Sequence, residues 1–159
     1  VSLAPSITEV LFTLELGEKV VGVTRFDLFP EEVKGKPKVG GFLDPSIEAI
    51  LALKPTQLFL LDESRESGEA FRRLGLSVVT VDHRSIGGIL SSFRSIGALC
   101  KKEEQARKLV QNLEHQISEI QARAPKKKGK VLISLGREGN IGSLSVSYIS
   151  GQDGFYADL

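Results

Sequence analysis

Two histidines, one cysteine and a scatter of arginines make up most of what this 159-residue chain could use for chemistry. Cys100 has no second thiol to pair with and too few companions for a structural zinc site. It follows Ile96, Ala98 and Leu99 in a helical pattern, so it reads as a small buried apolar residue. His83 closes the apolar run 77–82, at the point where parallel strands of α/β sheets present their ligands. It could ligate a metal or carry a proton, and the run Asp82-His83-Arg84-Ser85 also suits the cap of a following helix. His115, between Glu114 and Gln116, faces solvent. No glycine-rich phosphate cradle and no Gly-x-Ser-x-Gly element is present. Gly139-Asn140-Ile141-Gly142 lacks both the lysine and the following helix of a phosphate loop. A nucleophile–base pair would have to join a serine or Cys100 to His83, and no spacing supports one.

Aromatic and basic side chains near strand ends are better placed for binding. Phe26 and Phe42 lie in the loops Thr24-Arg25-Phe26-Asp27-Leu28-Phe29-Pro30 and Val39-Gly40-Gly41-Phe42-Leu43-Asp44. A loop aromatic flanked by glycines has little local core, which leaves it two fates: packing on a ligand across a cleft, or folding back under its own loop. Arg25, Arg65, Arg84 and Arg137 also stand near strand ends, where a guanidinium can meet ligand carboxylates.

The elements that must position these residues follow from apolar spacing. Runs 1–4, 20–24, 57–62 and 77–82 read as strands. The last two are apolar almost throughout, as expected of strands covered by helices on both faces. A helix is predicted to start at Ser6-Ile7-Thr8-Glu9 as a capping box and to end near Gly17. A second runs over 46–54, capped by Asp44 or Ser46, with Ile47, Ile50 and Leu51 as its apolar face and Pro55 as its stop. A third covers 68–74, ending at Gly75. Residues 86–99 form a fourth, and Ala106, Leu109, Val110, Leu113, Ile117 and Ile120 mark one long amphipathic helix over 103–124, about 33 Å at 1.5 Å per residue. After Pro125 come a lysine run at 126–130, read as a solvated turn, a strand over 131–135, a Gly/Ser-rich stretch, a short apolar run at 146–149 and a possible helix start at Gly154-Phe155.

Alternation of short apolar runs with helical patterns defines an α/β class with a parallel-sheet, three-layer lobe, a long connecting helix and the start of a second α/β lobe. The expected division is 1–84 for the first lobe, 85–125 for the connecting helical region and 126–159 for an incomplete second lobe. With 21 Lys+Arg against 20 Asp+Glu the formal charge is +1, which argues against a nucleic-acid footprint. No apolar run approaches ~18 residues, the length of a membrane helix. The chain opens on Val1-Ser2-Leu3-Ala4 without an initiator Met or signal segment, and is read as trimmed.

In this order the motifs resemble the N-terminal part of the substrate-binding proteins of bacterial ABC importers for cobalamin and ferric siderophores, the class with a helical backbone between its lobes. Ser2-Leu3-Ala4-Pro5-Ser6-Ile7-Thr8-Glu9 is similar to that family's opening strand-to-helix motif. Val21-Gly22-Val23-Thr24 with Phe29-Pro30 resembles its second strand and loop, and Ser46-Ile47-Glu48-Ala49-Ile50-Leu51-Ala52-Leu53-Lys54-Pro55-Thr56 its helix signature. The resemblance implies a non-catalytic receptor, periplasmic or a membrane-anchored lipoprotein, that holds a ferric siderophore or cobalamin-like chelate between two lobes. It implies ligand contact by Phe26 and Phe42, where a Tyr and a Trp are more usual. Arg137 and Glu138 resemble a Gly-Arg-Glu element facing the cleft from the second lobe. Arg25 and His83 complete the candidate ligand set. Glu48 matches the position that docks on the membrane permease, and in this sequence it points away from the apolar helix face. No resident cofactor is expected. Capture of a free metal ion is disfavoured, because His83 is the first lobe's single histidine. The rival readings are an α/β enzyme or cofactor-binding domain working through His83, and a sensing domain on the same fold.

Overall fold

The structure is a computed structural model that describes residues 1–124, 132–138, 146–150 and 156, with the side chains of Arg65, of 135–138 and of Ser147 outside the description. Strands β1 (Leu58–Leu61) and β2 (Val78–Val81) pair in parallel, Leu58 opposite Val78 and Leu61 opposite Val81. Backbone hydrogen bonds extend this pair on one side. Leu3 N–H donates to Phe59 O and Phe59 N–H to Val1 O, both at 2.9 Å, Ser2 N–H to Gly22 O at 3.0 Å, and Val23 exchanges bonds with Pro37 and Val39. The spatial order is therefore 37–39, 22–23, 1–3, β1, β2. The runs 1–4 and 20–24, expected as strands, make isolated parallel bridges instead, Ser2 with Phe59 and Val23 with Lys38. The fifth member, 37–39, has no sequence signature of a strand, since Lys36, Pro37 and Lys38 precede its one buried apolar residue, Val39, and Gly40 follows it.

Side chains alternate across this sheet as the pleat requires. Leu58 and Leu60 turn to one face and form a core with Val39, Ile50 and Phe71, under helices α2 (Ile47–Ala52) and α3 (Arg65–Arg73). Phe59 and Val81 turn to the other, against α1 (Pro5–Thr13), α4 (Ile86–Leu99) and α5 (Glu103–Arg123) through Ile7, Val10, Leu14, Phe93, Ile96, Ala106 and Val110. The result is helix, sheet, helix: the three-layer α/β class read from the sequence.

Several helix boundaries move for identifiable reasons. Helix α1 begins at Pro5, whose missing N–H suits the first turn, with Ala4 as the N-cap residue and no side-chain cap bond, so the Ser6/Glu9 capping box does not form. It stops at Leu14, where Glu15 takes φ +57°, short of Gly17. Helix α2 is capped by Ser46, which accepts from Ala49 N–H at 3.2 Å. Its buried residue is Ile50, and Ile47 and Leu51 are exposed rather than part of an apolar face. Helix α3 starts three residues earlier than expected and ends before Gly75 at φ +82°. Ser85 caps α4.

Helices α4 and α5 cross closely where Gly97 meets Ala106: a Cβ on Gly97 would lie 2.5 Å from the Ala106 Cβ. Arg94 to Glu114 at 2.6 Å ties the middle of α5 to α4, and Lys102, just before α5, meets Glu15, just past α1, at 3.2 Å. Beyond Leu113 the apolar stripe of α5 loses cover among the described residues: Ile117 is half-buried and Ile120 is 68% exposed. Cys100 is half-buried, not fully covered as expected, and lines a largely apolar hollow with Leu16, Val20 and Pro55. Strands β3 (Ser134–Glu138) and β4 (Val146–Ile149) pair antiparallel, β3 starting three residues later than the run 131–135 suggested. The lysine run 126–130 and the helix start at 154–155 lie outside the described residues.

Candidate ligand-binding face

All the candidate first-lobe ligand residues lie in loops that leave the carboxyl ends of the parallel segments. The loop after 22–23 is held by Thr24 and Asp27, both buried. Thr24 N–H donates to Asp27 Oδ2 at 2.9 Å, the Thr24 hydroxyl donates to the same oxygen, and Phe26 N–H donates to Thr24 Oγ1 at 3.2 Å. Asp27 Oδ1 has no hydrogen-bond partner among the described residues. This turn, spaced Thr-x-x-Asp, projects Phe26 outward, 57% exposed, with Leu28 and Phe29 also exposed.

Arg25 joins this loop to the next. Its backbone N–H donates to Gly40 O at 2.8 Å, and its Nη2 donates to both Asp44 carboxylate oxygens at 2.7 Å. Its guanidinium carbon stands 5.0 Å from the Phe26 ring centroid, a cation–π distance. The Arg25 guanidinium holds the Asp44 carboxyl below the usual carboxylate range. Gly40, at φ +99°, and Gly41, where a Cβ would lie 2.4 Å from Asp44 Oδ1, leave room for this clasp. Sequence reasoning offered Arg25 to a ligand carboxylate; in the folded chain its carboxylate partner is Asp44. Asp44, read from the sequence as a helix cap, is instead the partner of Arg25, a pairing that spacing did not single out.

Phe42 is half-buried. One side packs on the core shared with α1 and α4, and the other, with Leu43, Glu63, Ser64, Glu66 and Ser67, walls an open hollow. Leu43 is 89% exposed. Glu63, Ser64 and Glu66 come from the turn after β1 and the start of α3, which no motif marked.

His83 follows β2, as expected, and both ring nitrogens are occupied. Nδ1 lies 2.9 Å from Ser6 Oγ and Nε2 2.8 Å from Ser92 Oγ. Ser92 already donates to Ile89 O at 2.7 Å, so it accepts from Nε2–H, and Nδ1 accepts from Ser6. Burial pushes the His83 pKa down, against the pull of Glu63 and Asp82. Arg84 folds back on Asp82 through Nε at 3.0 Å and Nη2 at 2.8 Å, and holds that carboxyl at about 2. Arg137 sits on β3 opposite Ser147, with its side chain, like that of Arg65, outside the description. Glu48 is exposed in the first turn of α2. Among the described residues no group of three or more His, Cys, Asp or Glu gathers to hold a metal ion, and no helix is long and apolar enough to cross a membrane.

Loop aromatics, ion-paired arginines and a hollow share one face of the three-layer fold, and comparison with known proteins gives the family. The chain belongs to the periplasmic binding protein family, matched over residues 1–159. It is 37% identical over 129 residues to the uncharacterized ABC transporter substrate-binding lipoprotein YvrC of Bacillus subtilis, covering 78% of this chain and 41% of that protein. Identity to the vitamin B12-binding protein of Pectobacterium atrosepticum is 28%, over 76% of this chain and 44% of that one. The crystal structure of the periplasmic heme-binding protein HutB of Vibrio cholerae superposes with a TM-score of 0.80 at 28% identity, covering 96% of this chain and 58% of HutB. The chain thus spans less than half the length of the curated relatives it matches.

Proposed function

We propose that the full protein is the solute-binding receptor of an ABC importer, capturing a bulky metal chelate such as a ferric siderophore, a cobalamin or haem and delivering it to the membrane permease. The observation that carries this is Phe26, held out into solvent by the Thr24–Asp27 turn and backed by Arg25, at the carboxyl edge of a parallel sheet in a chain of this family. An exposed ring on a rigid loop is pre-organised to stack on a flat or apolar guest without a further ordering cost.

In this reading residues 1–84 form the first lobe, 85–125 the connecting helices and 126–159 the opening of the second lobe. Phe26 and Phe42 contact the guest, Arg137 approaches from the second lobe, and Arg25 acts by steadying Phe26 and the 40–44 loop. His83 serves the same face by fixing Ser6. Glu48, exposed between Ile47 and Leu51, docks on the permease. The protein works outside the cytoplasmic membrane, in the periplasm or as an anchored lipoprotein. An enzyme working through His83 has less support, because both ring nitrogens already hold serine hydroxyls.

Calorimetric titration of the full-length protein with cyanocobalamin, haem and ferric siderophores tests the proposal. At least one should bind below ~100 μM. Phe26→Ala should weaken that binding about tenfold, the factor for a lost stacking contact of about 1.4 kcal/mol. Failure of every probe defeats the receptor reading.

A further inference from the structure

One oxygen on this face has its hydrogen-bonding sense fixed from inside the protein. The parallel segments stand in the order 37–39, 22–23, 1–3, β1, β2, so the turn after 1–3, which leads to Ser6, lies at the centre of the carboxyl edge. Phe26 and Phe42 follow the segments to one side of it, and His83 follows β2 on the other. Ser6 itself is exposed. Behind it runs a relay of three bonds: Ser6 Oγ to His83 Nδ1 at 2.9 Å, His83 Nε2 to Ser92 Oγ at 2.8 Å, and Ser92 Oγ to the Ile89 carbonyl oxygen at 2.7 Å. The direction is set at the inner end. Ser92 is 1% exposed, and its single hydroxyl proton goes to a carbonyl, which can accept and never donate. Each bond in turn then points inward, and the outermost proton committed is that of Ser6. Toward solvent the Ser6 oxygen presents lone pairs.

We propose, resting on the receptor reading above, that Ser6 is a specificity-determining contact: it accepts a hydrogen bond from an N–H or O–H group at the edge of the chelate, with His83 and Ser92 as positioning residues that keep it an acceptor. An edge of ester or carboxylate oxygens meets lone pair against lone pair there and loses the hydrogen bonds it made to water. The preference favours chelates edged with amide N–H groups over haem, whose propionates offer acceptors at neutral pH. A proton on His83 reverses the outer bond. The imidazolium donates from Nδ1 to Ser6 Oγ and sends the hydroxyl proton outward, which weakens the hold on a donor. Among the described residues the charged groups acting on His83 are Glu63, from the turn after β1, and Asp82, just past β2, while α1 and α4 meet it through Ser6 and Ser92. Both carboxylates favour the proton and burial opposes it more strongly, so His83 is neutral at pH 7.5.

Two matched pairs titrated into the full-length protein test this. One is dicyanocobinamide, edged with primary amides, beside dicyanocobyrinic acid heptamethyl ester, the same ring edged with esters. The other is a linear ferric trihydroxamate with secondary amide N–H groups beside its N-methylated analogue, and haem completes the panel. Within whichever pair binds, Ser6→Ala should weaken the donor-bearing member about three- to tenfold, the worth of one hydrogen bond, and leave the donor-free member within about twofold. Lowering the pH from 7.5 to 5.0 should weaken the donor-bearing member about threefold in the wild type. In His83→Asn, whose amide oxygen can accept from Ser6 and does not titrate, that pH dependence should disappear. Thermal unfolding at both pH values checks that each variant is folded. Equal loss for both members of a pair in Ser6→Ala, no loss for either, a pH dependence that persists in His83→Asn, or binding confined to haem each overturns the assignment of Ser6 and leaves the receptor reading standing. No binding by any probe defeats the receptor reading itself, and this assignment with it.

Discussion

His83 is held as one tautomer, donating from Nε2 to Ser92 and accepting at Nδ1 from Ser6, and this makes it a reporter of pH. Its folded pKa lies below the ordinary 6.5. Below pH 6.5 the unfolded chain binds the proton more readily than the folded one, so stability falls as the pH drops from about 6.5 toward the folded pKa and levels off beneath it. The melting temperature of the wild type should decline from pH 7.5 to 5.5, and His83→Asn should show a shallower decline over the same interval. Asp27 gives a second residue-scale prediction. Asp27→Ala leaves the buried Thr24 N–H without its acceptor, so urea unfolding should register a loss of about 1–3 kcal/mol. Asp27→Asn keeps an acceptor oxygen and should lose less. Neither pairing announces itself along the chain. His83 and Ser6 are 77 residues apart, so Ser6, whose position suggested a capping box, is engaged by a partner that only the fold brings near. The Thr24-x-x-Asp27 turn, being local, was legible in principle from its spacing.

At the scale of elements, the glycines of α4 separate cleanly. A methyl on Gly87 meets nothing closer than Ser85 Oγ at 4.0 Å, whereas on Gly88 it would lie 2.4 Å from the Asp82 carbonyl oxygen. Gly87→Ala should therefore raise stability by about 0.5 kcal/mol through lower unfolded-state entropy, and Gly88→Ala should lower it by about 1–3 kcal/mol, both read from denaturant midpoints. The elements themselves were readable to different depths. β1 and β2 are apolar almost throughout, Ser46 and Ser85 stand where helix caps stand, and the period of α5 is unbroken, so each was legible from residue order and spacing. Segment 37–39 was not, because a single buried valine between lysine and glycine joins the sheet through backbone bonds that any residue can make. Ile47 and Leu51 misled for the opposite reason: helical spacing marks a stripe without saying whether anything covers it. Their exposure on either side of Glu48 suits a docking surface. Glu48→Ala should leave ligand affinity within twofold while lowering ligand-dependent stimulation of the reconstituted importer. An unchanged stimulation would remove Glu48 from the interface.

For the molecule as a whole, the fit of α5 against α4 at Gly97 and Ala106 divides the long helix, about 32 Å over its 21 residues, into a part fixed to the first lobe and a part reaching past it. Contact that close leaves no room between the two helices, so the start of α5 is expected to move together with α4. Spin labels placed on exposed positions of α4 and early α5 should therefore report one fixed separation with ligand absent and with ligand present. A label near Ile120, measured against the same α4 site, is where the bending of the strut would become visible.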